Sequence, residues 1–216
     1  MTKISKRLES LVSFVDKKDR IVDVGCDHGY LSIYLKENNL CENIIATDVN
    51  KNALQNAIDN ISRRKLDIEI YLSDGINDID LKMINTILIS GMGTATILHI
   101  LEDNEKLKNI NKLIIQSNND YEILRRELNK KGYYLKEEKA VCDNKKWYLS
   151  MLFEKNNKVN SETELVYGFL NNQNYSRYLL DYYNNILKKV PVQEQKIRKT
   201  LEEKIQYIQK AISLDN

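Results

Sequence analysis

Apolar positions along the first two thirds of the chain alternate between short unbroken runs and three- or four-residue steps, which predict strands and helices in turn. Between Ser5 and Val15, the residues Leu8, Leu11, Val12 and Val15 fall on one helical face. Arg20 to Val24 then reads as a short buried strand, followed by Ile44 to Thr47, Ile68 to Leu72, Thr86 to Ser90 and Lys112 to Gln116. Helical steps separate them: Tyr30, Leu31, Tyr34 and Leu35; Leu54, Ala57, Ile58 and Ile61 within Lys51 to Arg63; Thr94 to Leu101; and Tyr121 to Lys131. This spacing predicts an α/β domain whose parallel sheet is covered on both faces.

After Gly132 the rhythm changes. Tyr133 to Val141 and Trp147 to Phe153 are β-rich and joined by Asp143-Asn144-Lys145, which predicts a terminal antiparallel hairpin. From about Ser161 the pattern becomes that of long charged helices. Tyr175, Leu179, Tyr182, Ile186 and Val190 form one stripe, Pro191 interrupts it, and Ile197, Leu201, Ile205, Ile208 and Ile212 form a second. Two stripes about a breaker predict an antiparallel helical hairpin that packs within its own chain, so a monomer is expected. The expected division is residues 1–158 for the α/β domain and 159–216 for the helical extension.

Composition narrows the class. The 216 residues are 42% hydrophobic and 30% charged, a globular profile with room for one sizeable core and a small appendage. No apolar run approaches the ~18 residues of a membrane span, and no apolar stretch follows Met1 to Lys6 as in a signal peptide. The expected compartment is the cytoplasm. Cys26, Cys41 and Cys142 show no CxxC pairing, and with only His28 and His99 no metal site is expected. A net charge of +2 neither demands nor excludes nucleic acid, but its distribution is uneven. Arg125 to Lys146 holds eight Lys or Arg against four acids, and Lys3 to Arg20 holds six against three. Such runs are ordinarily solvated faces, and they gain meaning only if the fold joins them beside a pocket.

Open α/β sheets bind ligands at the carboxyl ends of their strands. Here those ends carry Gly25-Cys26-Asp27-His28-Gly29, Asp48, Asp74-Gly75 and Gly91-Met92-Gly93. A dinucleotide fingerprint needs glycine where this first loop has Asp27, whose charge would repel pyrophosphate. The same carboxylate suits the cationic amino group and sulfonium of S-adenosylmethionine. Asp48 stands where a carboxylate can take both ribose hydroxyls, although it or Asn50 could instead cap the next helix. Asp74 could accept from an adenine amino group or belong to an Asp-Gly turn.

The run Val22-Asp23-Val24-Gly25-Cys26-Asp27-His28-Gly29-Tyr30-Leu31 resembles the DIGSDHAYL segment of the bacterial tRNA (adenine-22 N1)-methyltransferase family, TrmK. Ser5-Lys6-Arg7-Leu8, Ser73-Asp74-Gly75 and Gly91-Met92-Gly93 are similar to its other landmarks, and Leu113-Ile114-Ile115-Gln116-Ser117-Asn118 resembles its LILQPN segment. The likeness runs from about Ser5 to Glu154, and a coiled-coil-like tail is also a feature of the family. Cys26, Gly29, Thr94 and Ser117 depart from its pattern without removing a charge. The resemblance implies a Rossmann-like class I methyltransferase fold with a C-terminal helical extension. It also implies methyl transfer from S-adenosylmethionine to N1 of an adenine in the D-arm region of tRNA. Asp23, Gly25, Cys26, Asp27, His28, Asp48, Val49, Asp74, Gly75, Gly91 and Met92 are then the expected cofactor residues.

For the reaction itself, Asp27 is expected to offset positive charge, Tyr30 to stack on the base and Asn118 to orient it. Tyr30 could alternatively be core, Asn118 a loop cap and His28 a structural donor, because adenine N1 has no proton to abstract. Arg7, Lys145, Lys146 and Trp147 are expected at the RNA, with packing of the hairpin as the other reading of Trp147. The helical extension is expected to widen the RNA surface. Three other readings remain open at this point. They are a methyltransferase acting on a protein or small molecule, a non-catalytic interaction module and, disfavoured by Asp27, a dinucleotide-dependent oxidoreductase.

Overall fold

A computed structural model describes residues 2–214, which divide after Ser161 into two compact units. The first is an α/β domain. Helix α1 (Lys6–Val12) starts at Ser5, whose hydroxyl caps the Leu8 amide at 3.4 Å. It stops short of the expected Val15 because the chain turns through Ser13 and Phe14, which delivers the Phe14 ring to the core. There follow β1 (Arg20–Val24), α2 (Tyr30–Glu37), β2 (Asn43–Asp48), α3 (Lys51–Arg64), β3 (Glu69–Leu72), β4 (Thr86–Met92), α4 (Thr94–Ile100), β5 (Lys112–Ser117) and α5 (Tyr121–Lys130). The hairpin β6 (Tyr133–Asp143) and β7 (Lys146–Lys155) closes the unit.

The strands form one seven-stranded sheet in the order β3-β2-β1-β4-β5-β7-β6. Neighbours from β3 to β5 run parallel, and β7 inserts antiparallel between β5 and β6. Side chains alternate across the sheet. Ile21, Ile44, Ala46, Leu88, Ile114 and Leu152 pack against Leu11 and Phe14, the α2 residues Leu31 and Leu35, and the α3 residues Leu54, Ala57 and Ile61. Val22, Ile87, Ile89, Leu113, Ile115 and Phe153 fill the opposite face.

Strand β4 runs two residues beyond the expected Ser90, because Gly91 bulges out of the ladder (φ 79°) and pairing resumes at Met92 opposite Ser117. The strand order reverses between β1 and β4, which opens a crevice at their carboxyl ends.

The second unit contains the short helix α6 (Glu162–Tyr167), which no stripe in the sequence foretold, with α7 (Gln173–Leu187) and α8 (Gln195–Leu214). The Arg198 guanidinium donates to the carbonyls of Leu187 and Val190 at 3.2 and 2.9 Å and ties the α7–α8 connection. Tyr182, expected inside, is 49% exposed, and Tyr183 turns in to line an apolar recess with Ile197 and Leu201. Among the described residues no helix is long and apolar enough to cross a membrane.

Candidate active site

The first loop is held open by its backbone. Gly25 has φ 73°, and its amide and that of Cys26 both donate to the Thr47 carbonyl, at 2.8 and 2.9 Å. At that φ any other L side chain would be strained, and a Cβ would also displace the Met92 methyl, which lies 2.2 Å from where it would stand. Asp27 also takes a left-handed conformation (φ 52°), one that Asp and Asn tolerate better than other side chains. That turn points its amide at the Asp48 Oδ2, at 3.0 Å. Helix α2 begins beyond Gly29 with no side chain capping its first turn, so its leading amides face the crevice end of the sheet.

Asp48 is fixed from two sides. Its Oδ2 accepts from Asp27 N–H and its Oδ1 from Asn50 N–H at 2.8 Å, and each oxygen keeps room for a further donor. Asn50, not Asp48, caps α3, accepting from the amides of Asn52 and Ala53. Asp23 lies deeper, with Ser32 Oγ donating to it at 2.6 Å. Burial, against the effect of that hydrogen bond and reinforced by the Asp48 charge, pushes the Asp23 carboxyl up to about 6. Burial and the carboxylates of Asp23, Asp48 and Asp27 push the Cys26 thiol up, which keeps it protonated and unsuited to be a nucleophile.

These groups surround a cavity of about 450 Å³ at the β1/β4 switch point. Its wall contains all eleven residues expected at a cofactor, together with Tyr30 and Arg7. Tyr30 is 45% exposed rather than core, and its ring lies 5.6 Å from that of His28 in a stacked arrangement. His28 Nε2 stands 3.7 Å from Asp27 Oδ1. Sequence reasoning missed Ser73, Ser90, Thr96, His99 and Ile100, which also line the cavity. Thr96, His99 and Ile100 are one turn of α4, and their only signal was position after the fourth strand.

Asn118 is not on the cavity wall. Its Nδ2 donates to the Gly91 carbonyl at 2.6 Å and its Oδ1 accepts from Gln116. Lys145, Lys146 and Trp147 also lie off the wall, and Trp147 parts from Lys146 because neighbouring strand residues face opposite ways. The aromatic on the Lys146 side is Tyr148: Lys146 Nζ lies 5.1 Å and the Arg7 guanidinium 5.6 Å from its ring centre. Helix α1 packs on this hairpin, with Ser10 and Ser150 hydroxyls 2.6 Å apart, Lys139 on the Ser13 hydroxyl and Asp143 accepting from the Arg7 amide. Arg7 from the first basic run and Lys139 and Lys146 from the second therefore meet on one face, and Arg7 carries that face to the cavity rim. Among the described residues no cluster of His, Cys, Asp or Glu could hold a metal ion.

The parallel five-strand order, the inserted antiparallel β7 and the carboxylates at successive strand ends define a Rossmann-like methyltransferase domain. Residues 4–151 match the family model described as a methyltransferase domain.

The tRNA (adenine(22)-N(1))-methyltransferase of Bacillus subtilis is 30% identical over 155 residues, spanning 70% of this chain and 65% of that protein. A candidate tRNA (m1A22) methyltransferase of Streptococcus pneumoniae, solved with S-adenosyl-L-methionine, superposes with a TM-score of 0.83 at 30% identity, covering 97% of this chain and 100% of that one. Mycoplasma capricolum TrmK with S-adenosyl-homocysteine gives 0.83 at 27% identity, covering 97% and 98%. The chain belongs to the TrmK family of tRNA (adenine-22 N1)-methyltransferases.

Two departures from the family pattern meet in the fold. The Thr94 and Ser117 hydroxyl oxygens lie 2.9 Å apart, and each is within hydrogen-bond distance of the Asn119 carbonyl, tying the start of α4 to the end of β5.

Proposed function

We propose that this protein transfers a methyl group from S-adenosylmethionine to N1 of adenine 22 in tRNA, in the cytoplasm and as a monomer. The observation that carries the reading is the convergence of Asp27, Asp48 and Asp74, from three strand ends, on one cavity whose rim holds Arg7 from the basic face.

The residues present fit the cofactor. Gly25 turns the loop at the cavity wall with φ 73°, a conformation that L side chains rarely adopt. Asp48, already oriented by two amides, is set to take the ribose hydroxyls, and exposed Asp74 to accept from the adenine amino group. Asp23, Asp27 and the leading amides of α2 complement the charged amino-acid end. When bound, S-adenosylmethionine supplies an electrophilic methyl on a sulfonium.

On the substrate side, adenine N1 presents a lone pair and no proton, so the chain need supply no general base. N1 lies on the pairing edge, and the base must leave its helix to be reached. Tyr30, exposed and stacked beside His28, offers a surface for that base, worth roughly 1–3 kcal/mol by stacking. The methylated ring becomes cationic, and the Asp27 carboxylate, on the cavity wall with 71% of its side chain exposed, offsets the charge as it develops. Arg7, Lys145 and Lys146 then grip the flanking phosphates. Helices α7 and α8 extend the RNA contact, with Tyr178 and Tyr182 exposed beside Arg177, Lys188 and Lys189. Tyr175 of α7 and Leu201, Ile205 and Ile208 of α8 are buried within the chain, which supports a monomer.

The test is to incubate the protein with labelled S-adenosylmethionine and unmodified bacterial tRNA, digest the RNA and map the label. N1-methyladenosine at position 22 is the expected product. Cofactor binding with no label in tRNA would leave a methyltransferase of another substrate.

A further inference from the structure

We infer that Gln116 and Asn118 are positioning residues, a relay buried at Gln116 and exposed at Asn118 that holds Arg7 at the cavity rim and fixes the Gly91 bulge in the cavity wall. The inference deepens the tRNA reading and rests on it.

Gln116 ends the apolar run of β5 and is wholly buried, 0% exposed. Its Oε1 accepts from Arg7 Nη1 at 2.7 Å, and its Nε2 donates to the Ser117 carbonyl at 2.7 Å and to Asn118 Oδ1 at 3.3 Å. The amide can face only one way, because a guanidinium donates and never accepts. Asn118 continues the chain: Nδ2 donates to Gly91 O at 2.6 Å and the backbone amide to Met92 O at 2.9 Å. Arg7, Gly91 and Met92 line the cavity, whereas Gln116 and Asn118 do not. The relay thus joins α1, β5 and the β4 bulge behind the wall, and touches no reacting atom.

A polar side chain in so apolar a position must be matched by what it holds. Packing alone would be served by another isoleucine or leucine, as at Leu113, Ile114 and Ile115. The choice of a neutral acceptor matters as well. Lys146 shares the Tyr148 ring with Arg7, so like charges crowd there and Arg7 needs an anchor. A carboxylate at 116 would anchor it but neutralise the charge that RNA must meet. A glutamine carbonyl orients the guanidinium and leaves its full charge for a phosphate.

Four proteins carry the test: wild type, Arg7→Ala, Gln116→Met and the double variant, with Gln116→Glu as a contrast. The readings are kcat and KM for tRNA, tRNA affinity against salt, and cofactor affinity and melting temperature as controls for folding. Gln116→Met keeps the volume and loses the hydrogen bonds. It is expected to lower kcat/KM about tenfold through misplacement, with cofactor affinity and salt slope near wild type. Arg7→Ala should lose more, and the double variant no more than Arg7→Ala, because Asn118 keeps its own bonds to Gly91 and Met92 and what Gln116 contributes to the tRNA reaction passes through Arg7. Gln116→Glu should flatten the salt slope by about one ion, since it pairs the Arg7 charge.

Additive losses in the double variant, or a Gln116→Met enzyme with wild-type kcat/KM, would overturn the relay. Should Gln116→Met lose cofactor binding and melt early, Asn118→Ala probes the relay from its exposed end. A several-fold loss in kcat/KM with intact cofactor binding supports the relay, and none overturns it. A wild-type protein that neither binds nor methylates tRNA sinks the underlying reading, and the relay with it. One that methylates tRNA while its variants fail these expectations sinks the relay alone.

Discussion

Asp27 combines three constraints in one residue: a left-handed backbone, an amide that orients Asp48 and a carboxylate on the cavity wall. Asparagine satisfies the first two and removes only the charge. Asp27→Asn should therefore weaken cofactor affinity several-fold, through the charge lost at the amino-acid end, and lower kcat about 100-fold, the scale of losing one electrostatic stabiliser. Turnover near wild type in a single-turnover assay would remove Asp27 from the mechanism. Asp23 makes a prediction about stability. Its carboxyl is raised to about 6 from 3.8, so the fold favours the protonated form. That contribution is complete below about pH 4 and is lost as pH rises through about 6. Ligand-free Asp23→Asn should melt higher than wild type at pH 7.5, and the gap should close between pH 6 and pH 4. A gap constant across that window would mean that Asp23 titrates as it would in the unfolded chain.

The strand-end carboxylates could be read from the sequence because each follows its own apolar run. Gln116 and Tyr148 could not, since what distinguishes them is contact with Arg7, 109 residues before Gln116, and distant contacts leave no local signal.

At the scale of elements, the β6–β7 hairpin shows why the sequence located a turn but misjudged its size. Asp143 pairs with Lys146, so the expected three-residue connection is two residues, Asn144 and Lys145, with φ 50° and 65°. Two positive φ values mark a primed turn, for which Asn-Gly is the preferred pair. Strand length was hidden because polar ends such as Glu154 and Lys155 become strand only by pairing, Glu154 against Lys112 and Tyr134. Gly91 misled in the other direction, since a glycine reads as a break where the structure uses it as a bulge.

Lysine at 145 costs about 1–2 kcal/mol in that backbone relative to glycine. A role for its charge at RNA is what would offset that cost. Lys145→Gly should thus raise the melting temperature by a few degrees. The same change should weaken tRNA binding several-fold at low salt and reduce the salt slope by about one. A rise in melting temperature with unchanged tRNA binding would place Lys145 outside the RNA contact.

For the whole molecule, a net charge of +2 conceals how the cations are arranged. The fold gathers Arg7, Lys139 and Lys146 from two distant basic runs on the α1–hairpin face, while α7 and α8 carry their own cations and exposed tyrosines in a separate unit. Every residue lining the cavity lies at or before Ile100, inside the first unit. If the helical unit serves RNA, cutting the chain after Ser161 separates two affinities that would otherwise fall together. The shortened protein should bind S-adenosylmethionine within about threefold of the full chain, because the pocket keeps all of its donors and acceptors. Its tRNA affinity should drop at least about tenfold, with a smaller salt slope, because fewer phosphates are neutralised. Filter binding of tRNA across a salt series, beside calorimetry with the cofactor, reads both quantities. Equal loss of the two would mean that α6, α7 and α8 hold the catalytic unit together. An unchanged salt slope would assign RNA recognition wholly to the α1–hairpin face.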